Sequence, residues 1–370
     1  MRSLLLAASF RPALGGIETL LYQTNRRLAD PPQVLAPWPA AAPDMAVRSV
    51  RLTIPDKVAY RPLWKLHPSL HYIESFWRPA LQAVAGRRPH VIQAGHVYLA
   101  PLAWLLARRA KLPFVVYGYG QEVWRGGRRM GLPALDAHLR GRALRAADRV
   151  LVPGSFTQSL LSEWQVPMKK IGSVPYGAEP RPASPTPCRN RLLSVARLIP
   201  RKGIDTVIRA LRGLSPDVEY RVVGSGPDQA RLRQLATSEG VEDRVHFLGR
   251  LSEEELAKEY GKSSLFVLPA RRTSDGDLEG YGLVYFEAAA WGRPVLAGRS
   301  GGEVDAVVDG ETGVLVDGNS VDAVQAAIGS LLNEPGRMAA LGAQGRARVE
   351  TSHNWSGAAA TVDAILDGLV

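Results

Sequence analysis

Short apolar segments alternate with longer segments of helical period over most of the chain. Residues 2–10, RSLLLAASF, predict a first strand. A glycine turn follows it, and apolar residues then return every three or four positions across residues 17–28, as in a helix. The alternation recurs with predicted strands at 89–94 and 113–117 and a predicted helix at 100–110 between them. This order predicts the βαβ units of a parallel sheet and an α/β fold.

A proline-rich segment interrupts the alternation near the middle of the chain. Residues 179–190, EPRPASPTPCRN, carry four prolines and no hydrophobic pattern, which is typical of a linker. A second series of strands and helices begins after it, with an apolar strand predicted at 192–196. The sequence therefore predicts two similar α/β domains, residues 1–180 and 191–353, joined by a linker at 181–190.

The most informative stretch begins with a predicted buried strand at 265–269. A polar loop leads from this strand into a helix predicted from Leu283 to Trp291, and the next predicted strand covers 294–297. Ligands of parallel sheets bind beyond the carboxyl ends of the strands. The polar loops after both strands lie at that end, so we expect a ligand site there.

Two carboxylates, Glu279 and Glu287, bracket the turn from the loop into this helix, and glycines stand between them at 280 and 282. The free N–H groups of a first helical turn attract an anion, and glycine lets a ligand approach the backbone. Because carboxylates repel phosphate, these glutamates suit hydroxyl groups, which sugars and riboses carry beside phosphates. The alternative interpretation is a solvated loop glutamate and a helix-capping one.

Composition limits the class of protein. The 370 residues suffice for two domains with full cores, and 46% hydrophobic and 22% charged residues are ordinary for a globular chain. Cys188 is the one cysteine, which excludes an internal disulfide and a Cys-rich metal site. No run approaches the ~18 apolar residues of a spanning helix, and the N-terminal apolar run is too short for a secretory signal. We therefore expect a cytoplasmic protein, with peripheral binding to the inner membrane face as a further option.

The net charge of +11 is concentrated in the first half of the chain. Residues 1–180 hold 24 Lys and Arg against 10 Asp and Glu, whereas the remainder holds 22 against 25. Aromatic residues alternate with cations at 57–78, and seven arginines lie within 125–149. Nucleic acid and an anionic membrane surface both fit this balance as partners. The alternatives are an ordinary amphipathic helix at 57–78 and an arginine content set by a GC-rich genome.

The setting of the two glutamates, EGYGLVYFEAAAWGRPV, resembles the E-x7-E signature of retaining GT-B glycosyltransferases of the glycosyltransferase 4 type. The flanking PARRTSDGDLEG and AGRSGGEVDAVVDGETGVLV are most similar to the bacterial phosphatidylinositol mannosyltransferases and their relatives. The resemblance covers most of the C-terminal half and is weaker before residue 150. It implies two doubly wound Rossmann-like domains facing across a cleft, with the donor in the C-terminal domain and the acceptor in the N-terminal one. It also implies a C-terminal helix, 354–370, that crosses back to the N-terminal domain.

A second stretch, ARLIPRKGIDTVIRAL, places Arg197 and Lys202 in a short loop after a predicted strand. A guanidinium fork and an ammonium point charge suit a diphosphate, and in the resembling family the matching pair holds the donor diphosphate as it leaves. The resemblance makes Arg197, Lys202 and Glu279 the catalytic residues, with Glu279 orienting sugar hydroxyls and Glu287 holding the ribose. The predicted donor-binding residues are Gly15, Gly16, Arg197, Lys202, Gly224, Gly226, Phe247, Leu248, Glu279, Gly280, Tyr281, Gly282, Leu283, Val284 and Glu287.

The N-terminal half departs from the family pattern at one loop. In the family this loop carries a histidine that contacts the donor sugar, whereas here Tyr119 and Gln121 occupy the stretch. His96, at the end of the preceding predicted strand, is a candidate substitute. We therefore predict that His96, Tyr119 and Gln121 contact the acceptor or the sugar. The glycine turn at 15–16 borders the acceptor in the family. A plain tight turn and a structural histidine are the alternatives.

No metal and no other cofactor is expected. Asp275 and Asp277 have the D-x-D spacing with which a different glycosyltransferase fold binds metal, and two aspartates suit a divalent cation. Arg197 and Lys202 already supply positive charge, however, and the resembling family does not generally need metal. The glycines at 224–226 lack the GxGxxG spacing of dinucleotide sites.

The predicted activity is the retaining transfer of a hexosyl group, mannose favoured, from a nucleotide diphosphate sugar to a hydroxyl of a lipid-linked or anionic acceptor. One alternative is a UDP-sugar-dependent enzyme that acts on a soluble glycan or a natural product. Another is a phosphorylase or an epimerase on the same fold. A third is a non-catalytic basic module for membrane or nucleic acid. Charged residues are present at all four positions expected of an active enzyme, Arg197, Lys202, Glu279 and Glu287, which argues against this last class. Nucleic acid is not an expected partner.

Overall fold

The computed structural model describes residues 1–13, 15–52, 68–120, 122–123, 132–182 and 187–370. The chain divides into two compact units. The first comprises Met1–Tyr176 with Trp355–Val370, and the second comprises Gly177–Asn354. The sequence predicts the first boundary at residue 180 and the start of the terminal helix at residue 354.

The first unit is built on a parallel sheet, which has seven strands within the described residues. They are β1 Ser3–Leu6, β2 Gln33–Pro37, β3 Val47–Val50, β4 Val91–Ala94, β5 Phe114–Tyr117, β6 Arg149–Val152 and β7 Ile171–Ser173. Their order is β3-β2-β1-β4-β5-β6-β7, and every pair is parallel. All residues of β1, β4 and β5 are buried, as expected of central strands in a doubly wound sheet.

The second unit repeats this plan with six parallel strands among its described residues. They are β8 Arg191–Val195, β9 Glu219–Val223, β10 Val245–Gly249, β11 Leu265–Leu268, β12 Val295–Gly298 and β13 Gly313–Val316. The order is β10-β9-β8-β11-β12-β13, with Leu192 opposite Leu265 where β8 meets β11. Counted from the first strand of each unit, both sheets follow the doubly wound order 3-2-1-4-5-6. The predicted α/β class and the two Rossmann-like halves are confirmed.

Helices connect the strands of both units. Those of the first unit before residue 176 are α1 Gly16–Asn25, α2 Pro68–Arg87, α3 Ala100–Ala110, α4 Leu132–Ala146 and α5 Ser155–Ser162. Those of the second unit are α6 Ile204–Leu211, α7 Gln229–Ser238, α8 Glu253–Lys262, α9 Leu283–Ala290, α10 Glu303–Ala306, α11 Val321–Asn333 and α12 Pro335–Thr351. The last helix, α13 Trp355–Asp367, belongs to the first unit.

Helix α13 packs against α1 within the first unit. The Asp363 carboxylate accepts a hydrogen bond from the backbone N–H of Ala29 (2.9 Å), just beyond the end of α1. The buried residues Trp355, Ala358 and Val362 recur at helical spacing along α13. Their burial explains why the last segment of the chain is part of the first unit.

Several predicted elements differ from the structure in extent. The first strand, predicted at 2–10, is limited to Ser3–Leu6. The strand predicted at 89–94 begins at Val91, and the helix predicted from Leu283 to Trp291 ends at Ala290. The aromatic segment at 57–78 is described only from residue 68, where it is helical as part of α2. Residues 57–67, Gln121, Arg125, Arg128, Arg129 and part of the linker at 181–190 lie outside the described residues.

None of the described helices combines enough residues with enough apolar side chains to cross a membrane. Helix α2 is the longest at 20 residues, and it carries Glu74, Arg78 and Arg87 among its apolar positions.

Candidate active site

The second sheet reverses its direction of growth at β8, which pairs with β9 on one side and with β11 on the other. The loops that follow β8 and β11, residues 196–203 and 269–282, therefore leave the same edge of the sheet at adjacent positions. A hydrogen bond from the Arg271 N–H to the Arg201 carbonyl (2.8 Å) joins the two loops. Ligands of doubly wound sheets bind at such a switch point, and the predicted catalytic residues lie in these two loops.

Glu279 lies at the centre of a charged cluster between these loops. Its side chain is only 7% exposed. Its Oε2 accepts hydrogen bonds from Lys202 Nζ and from Arg201 Nη1, the latter at 2.9 Å. Burial alone raises the pKa of this carboxyl, but the charges and hydrogen bonds of Lys202 and Arg201 outweigh it and lower the pKa to about 2. Glu279 is therefore ionised at neutral pH and can accept hydrogen bonds from hydroxyl groups.

A tight turn presents Lys202 to this carboxylate. Residues Pro200–Lys202 form a single 3₁₀ turn that Gly203 ends at φ +68°. A Cβ at Gly203 would collide with the carbonyl oxygen of Pro269, the residue after β11. The position therefore requires glycine twice, for its left-handed conformation and for the close approach of the neighbouring loop. As a result Lys202 is buried beside Glu279.

Arg201, the residue before Lys202, was not predicted as a site residue. Its Nη1 bonds to Glu279, and its Nε lies 3.2 Å from Oδ2 of Asp277 in an ion pair. The cluster thus contains two cations and two carboxylates. Sequence reasoning assigned Arg197 and Lys202 to the donor diphosphate and made no prediction for Arg201.

Arg197 itself takes no part in this cluster. It lies two residues beyond the end of β8, and its side chain is exposed. Among the described residues it has no hydrogen bond or ion pair. The structure therefore brings together Lys202 and Glu279 but not Arg197. The predicted contact of Arg197 with a diphosphate stays a prediction.

The loop after Glu279 ends at the start of α9. Gly282, at φ +84°, precedes the first helical residue, Leu283, and no side chain caps the helix. The loop after β12 packs against this turn, because Gly302 donates its N–H to the Glu279 carbonyl (2.8 Å). A Cβ at Gly302 would collide with the carbonyl oxygen of Gly280. Among the described residues, no side chain accepts a hydrogen bond from the first N–H groups of α9, an arrangement that suits an anion.

The neighbours of this turn are mostly apolar. Tyr281 and Leu283 are buried and Val284 is half-buried, and the Tyr281 ring packs at 5.3 Å against Phe286. Burial raises the pKa of the Tyr281 phenol, so its hydroxyl stays protonated. The predicted donor contacts of Gly280, Tyr281, Gly282, Leu283 and Val284 remain predictions.

Glu287 lies further along α9 and has a protein partner. The half-buried carboxylate accepts a hydrogen bond from the Tyr260 hydroxyl at 2.7 Å. Burial raises the pKa of Glu287, while the Tyr260 bond and the Arg181 charge oppose that rise. The predicted contact with a ribose therefore requires an oxygen lone pair that Tyr260 leaves free. Carboxylates can accept several hydrogen bonds, so the two contacts are compatible.

The other predicted donor residues of the second unit lie just after β9 and on β10. A Cβ at Gly224, at φ +123°, would collide with the Ala196 carbonyl, and one at Gly226 with the Leu198 carbonyl. Close packing against the loop after β8 therefore explains why glycine occupies both positions. Phe247 and Leu248 on β10 are half-buried, and the Arg233 guanidinium lies 4.8 Å from the centre of the Phe247 ring. Their contact with a nucleotide remains a prediction.

The two aspartates with D-x-D spacing bind different partners. Asp275 accepts a hydrogen bond from the Thr273 hydroxyl (2.5 Å), whereas Asp277 pairs with Arg201. No group of three or more potential metal ligands occurs among the residues that the structure describes. These contacts supply no donor set for a cation, and the expectation that the reaction needs no metal stays a prediction.

A third carboxylate, Glu303, lies at the start of α10 and is fully buried. Its Oε1 accepts hydrogen bonds from the Ser300 N–H and hydroxyl, both at 2.8 Å, while its Oε2 has no partner among the described residues. Burial raises the pKa of Glu303, and the charge of Glu279 raises it further. Sequence reasoning expected a ligand site at the loops after β11 and β12 but assigned no role to this carboxylate.

In the first unit, His96 follows β4 at the carboxyl edge of the sheet. Its Nδ1 accepts a hydrogen bond from the Tyr98 N–H (3.3 Å), so Nε2 carries the proton of the neutral ring. Burial lowers the pKa of His96, Glu122 and Glu18 oppose that effect, and Arg140 adds to it. The ring is therefore neutral at neutral pH, with Nε2–H as its donor.

Tyr119 follows β5, the neighbour of β4, and lies in the same electrostatic environment as His96. The side chain is buried, and its hydroxyl has no partner among the described residues. Burial raises the pKa of Tyr119, and Glu122 and Glu18 contribute in the same direction. The Glu18 carboxylate also lies against Gly15, where α1 begins. His96 and Tyr119 therefore lie within electrostatic reach of two glutamates that were not predicted, and Glu122 also accepts a hydrogen bond from the Tyr119 N–H at 2.5 Å.

Two remaining predicted positions add little to this cluster. Gly16 has open space around its Cα, so no contact requires glycine there. Gln121 lies outside the described residues. The roles of both residues stay predictions.

Both halves of the chain match known protein families. Residues 15–177 match the family described as "Glycosyl transferase 4-like domain", and residues 181–348 match "Glycosyl transferases group 1". The GDP-mannose-dependent alpha-(1-6)-phosphatidylinositol monomannoside mannosyltransferase of Mycolicibacterium smegmatis is 37% identical over 289 residues, which cover 73% of this chain and 74% of that protein. The protein of the same description from Mycobacterium tuberculosis is 36% identical over 290 residues, with the same two shares.

Solved structures share the fold over the whole chain. The Anabaena protein HepE in complex with UDP superposes with a TM-score of 0.82 at 18% identity and covers all of both chains. Sucrose-phosphate synthase from Thermosynechococcus elongatus gives a TM-score of 0.79 at 23% identity, over 100% of this chain and 98% of that one.

Two doubly wound units of this strand order, with a cation–carboxylate cluster at the switch point of the second, define a GT-B glycosyltransferase. More particularly, the chain belongs to the group 1 glycosyltransferase family, with the phosphatidylinositol monomannoside mannosyltransferases among its relatives. The predicted class of enzyme is confirmed.

Proposed function

We propose that this enzyme transfers mannose from GDP-mannose, with retention, to a hydroxyl of a phosphatidylinositol-linked glycolipid. The observation that carries the proposal is the buried Glu279 held by Lys202 and Arg201 at the switch point of the second sheet. The choice of donor and acceptor is supported by the relatives, which carry these substrates in their names and cover nearly three quarters of the chain.

The proposed roles follow from the charges of the second unit. Lys202 and Arg197 bind the diphosphate and stabilise the negative charge that grows on it as the glycosidic bond breaks. Glu279 accepts hydrogen bonds from the sugar hydroxyls, and Glu287 accepts them from the ribose. The uncapped start of α9 adds N–H donors for the phosphate. No protein nucleophile is assigned, and in a front-face reaction the leaving phosphate takes the proton of the acceptor hydroxyl.

The cluster in the first unit is proposed to bind hydroxyl groups of the acceptor or of the sugar. Neutral His96 supplies an Nε2–H donor, and the Tyr119 hydroxyl is free of partners among the described residues. Glu18 and Glu122 supply acceptor oxygens beside them. Donors and acceptors mixed in this way suit a polyol.

Binding to an anionic membrane surface is proposed for a basic aromatic face on α2, α3 and α4. Helix α3 packs against both others, and a groove of about 570 Å³ runs beside Trp77, Arg78 and Leu105. The Trp104 ring lies 5.7 Å from the Arg108 guanidinium and 5.6 Å from that of Arg142. The basic aromatic face consists of Trp77, Arg78, Trp104, Leu105, Arg108, Leu135 and Arg142. Exposed apolar and cationic side chains together fit an anionic lipid surface.

The test is a transfer assay with labelled GDP-mannose, UDP-glucose and UDP-N-acetylglucosamine. Phosphatidylinositol monomannoside in micelles and methyl mannoside in solution serve as acceptors. We expect label in the lipid from GDP-mannose alone, an α-linked product by NMR, and loss of transfer in Glu279→Ala. Transfer from a UDP-sugar only, or to the soluble acceptor only, would overturn the substrate assignment. Tight nucleotide binding without any transfer would support a non-catalytic module.

A further inference from the structure

Arg201 joins the two loops of the donor site through its backbone and its side chain. Its carbonyl accepts the N–H of Arg271 (2.8 Å), at the start of the loop after β11. Its Nε and Nη1 lie 3.2 Å from Asp277 and 2.9 Å from Glu279, near the end of that loop. One residue thus binds both ends of the loop that carries Glu279.

A single oxygen of Glu279, Oε2, is shared by Arg201 and Lys202. The two cations differ in how they bind it. The guanidinium is a planar fork, and its Nε lies in an ion pair with Asp277. The ammonium is a point charge on a flexible stem, and it can turn to another anion without moving the backbone.

The proposed function requires Lys202 to bind the donor diphosphate, which takes its charge away from Glu279. A carboxylate that is 7% exposed cannot remain ionised without a cation close by. The other ionisable groups that face Glu279 among the described residues supply no positive charge to replace Lys202. They are Asp277 in its own loop, Tyr285 on α9 and Glu303 on α10.

We propose that Arg201 is a positioning residue of the donor site, which holds Glu279 ionised and in place while Lys202 leaves it for the diphosphate. The inference rests on the proposed function, because it takes Lys202 as a ligand of the donor. Asp277 also pairs with the guanidinium, in an ion pair at 3.2 Å from Nε that is not a hydrogen bond, so Arg201 keeps two carboxylate partners when Lys202 turns away.

The inference is tested by calorimetric titration of the full chain with GDP in buffers of different ionisation enthalpy, which measures proton uptake on binding. Arg201→Gln removes the remaining cation, so we expect Glu279 to take up a proton when Lys202 turns to GDP. Uptake should rise above that of the wild type toward one proton per GDP as the pH falls. Arg201→Lys should restore much of the wild-type behaviour. Arg212→Gln, at a 77% exposed site, is the control and should match the wild type.

The pH profile of transfer gives a second readout. The acidic limb of kcat reports the donor complex, whereas that of kcat/KM reports the free enzyme, in which Lys202 still pairs with Glu279. In Arg201→Gln the acidic limb of kcat should move up by about one to three pH units, and that of kcat/KM by less. If Arg201 had only a structural role, Arg201→Gln would lower kcat and kcat/KM without shifting the acidic limb of either profile.

The outcomes separate the inference from the function on which it rests. Proton uptake and pH limbs equal to the wild type in Arg201→Gln, with Lys202→Ala and Glu279→Ala both inactive, would overturn the inference alone. Full transfer by Lys202→Ala and Glu279→Ala would overturn the proposed function and the inference with it.

Discussion

At the scale of single residues, Glu279 combines burial with two cationic partners. Its pKa of about 2 lies below the ordinary value of 4.5, so its ion pairs stabilise the folded chain. That contribution is complete above about pH 4.5 and is lost as the pH falls toward 2. Acid should therefore weaken the proposed donor site by protonating this carboxyl.

The first prediction concerns Glu279→Gln. At neutral pH the change leaves two partly buried cations without this carboxylate and should lower the free energy of unfolding by about 3 kcal/mol. The difference from the wild type should shrink as the pH is lowered, because the wild type then loses the same ion pairs. Urea unfolding at a series of pH values measures both the loss of unfolding free energy and its dependence on pH. A difference that stays constant with pH would contradict the assignment.

A second prediction contrasts Arg197 with Lys202. Because Arg197 is exposed and unpartnered among the described residues, Arg197→Ala should change the free energy of unfolding by less than about 0.5 kcal/mol. It should nevertheless slow transfer about 100-fold. Lys202→Ala, which removes a buried partner of Glu279, should reduce both stability and transfer. Wild-type transfer by Arg197→Ala would show that the exposed guanidinium does not touch the donor.

At the scale of secondary-structure elements, the turn from β8 into α6 determines where the cations lie. Gly203 ends the 3₁₀ turn at φ +68° against the Pro269 carbonyl. Gly240, after α7, has nearly the same conformation, φ +66°, but nothing within 4 Å of an added Cβ. Comparing Gly203 with Gly240 therefore separates the cost of the left-handed backbone conformation from the cost of a collision between an added Cβ and the neighbouring loop.

The third prediction compares alanine at these two glycines. Gly240→Ala should lower the free energy of unfolding by about 1 kcal/mol, the cost of a left-handed alanine. Gly203→Ala should cost more, since the loops after β8 and β11 must also separate, and it should reduce transfer while Gly240→Ala leaves it unchanged. Urea unfolding measures the effect of each variant on stability, and the transfer assay measures its effect on activity. Equal effects at both glycines would mean that the contact with Pro269 is unimportant.

Hydrophobic period was enough to predict the elements that surround the site. The apolar runs that became β8, β11 and β12 are short and continuous, which is the pattern of buried parallel strands. Their carboxyl ends share an edge by topology, so the neighbourhood of Lys202 and Glu279 followed from sequence. Element ends were less well predicted, because strand and helix termini depend on contacts distant in sequence.

The partner of Glu279 was not predictable in the same way. Arg197 and Arg201 both follow β8, and sequence alone does not show which of them faces the loop after β11. The 3₁₀ turn at Pro200–Lys202 determines which arginine contacts Glu279, because the turn places the side chains of Arg201 and Lys202 against this carboxylate. The glutamates beside His96 were missed for a similar reason, because Glu18 lies on a helix after a different strand.

At the scale of the whole molecule, charge is divided unevenly along the chain. The excess of Lys and Arg lies in residues 1–180, and the remainder is slightly acidic. The basic aromatic face belongs to the first unit, where Leu105 is 38% and Leu135 48% exposed. Attraction to an anionic surface is therefore expected to act on that unit and to weaken with salt.

The fourth prediction is that the enzyme sediments with vesicles containing phosphatidylinositol, less so at high salt, and not with phosphatidylcholine vesicles. The double variant Leu105→Asp and Leu135→Asp should bind about tenfold more weakly, because it removes apolar area and adds negative charge. Met168→Asp, at a 61% exposed site on another element of the same unit, is the matched control. Equal binding by the double variant and the control would contradict the proposed face.

The assignment of α13 to the first unit has a consequence for synthesis on the ribosome. The first unit is discontinuous, since Met1–Tyr176 and Trp355–Val370 are separated by all of the second unit. A nascent chain that has not yet reached Trp355 lacks the helix that packs against α1 and the Asp363 carboxylate that binds Ala29. The second unit, which is continuous, contains every residue of its own sheet before that point. The unit translated first is therefore the unit completed last, and the surface of α1 that α13 covers stays exposed while the second unit folds.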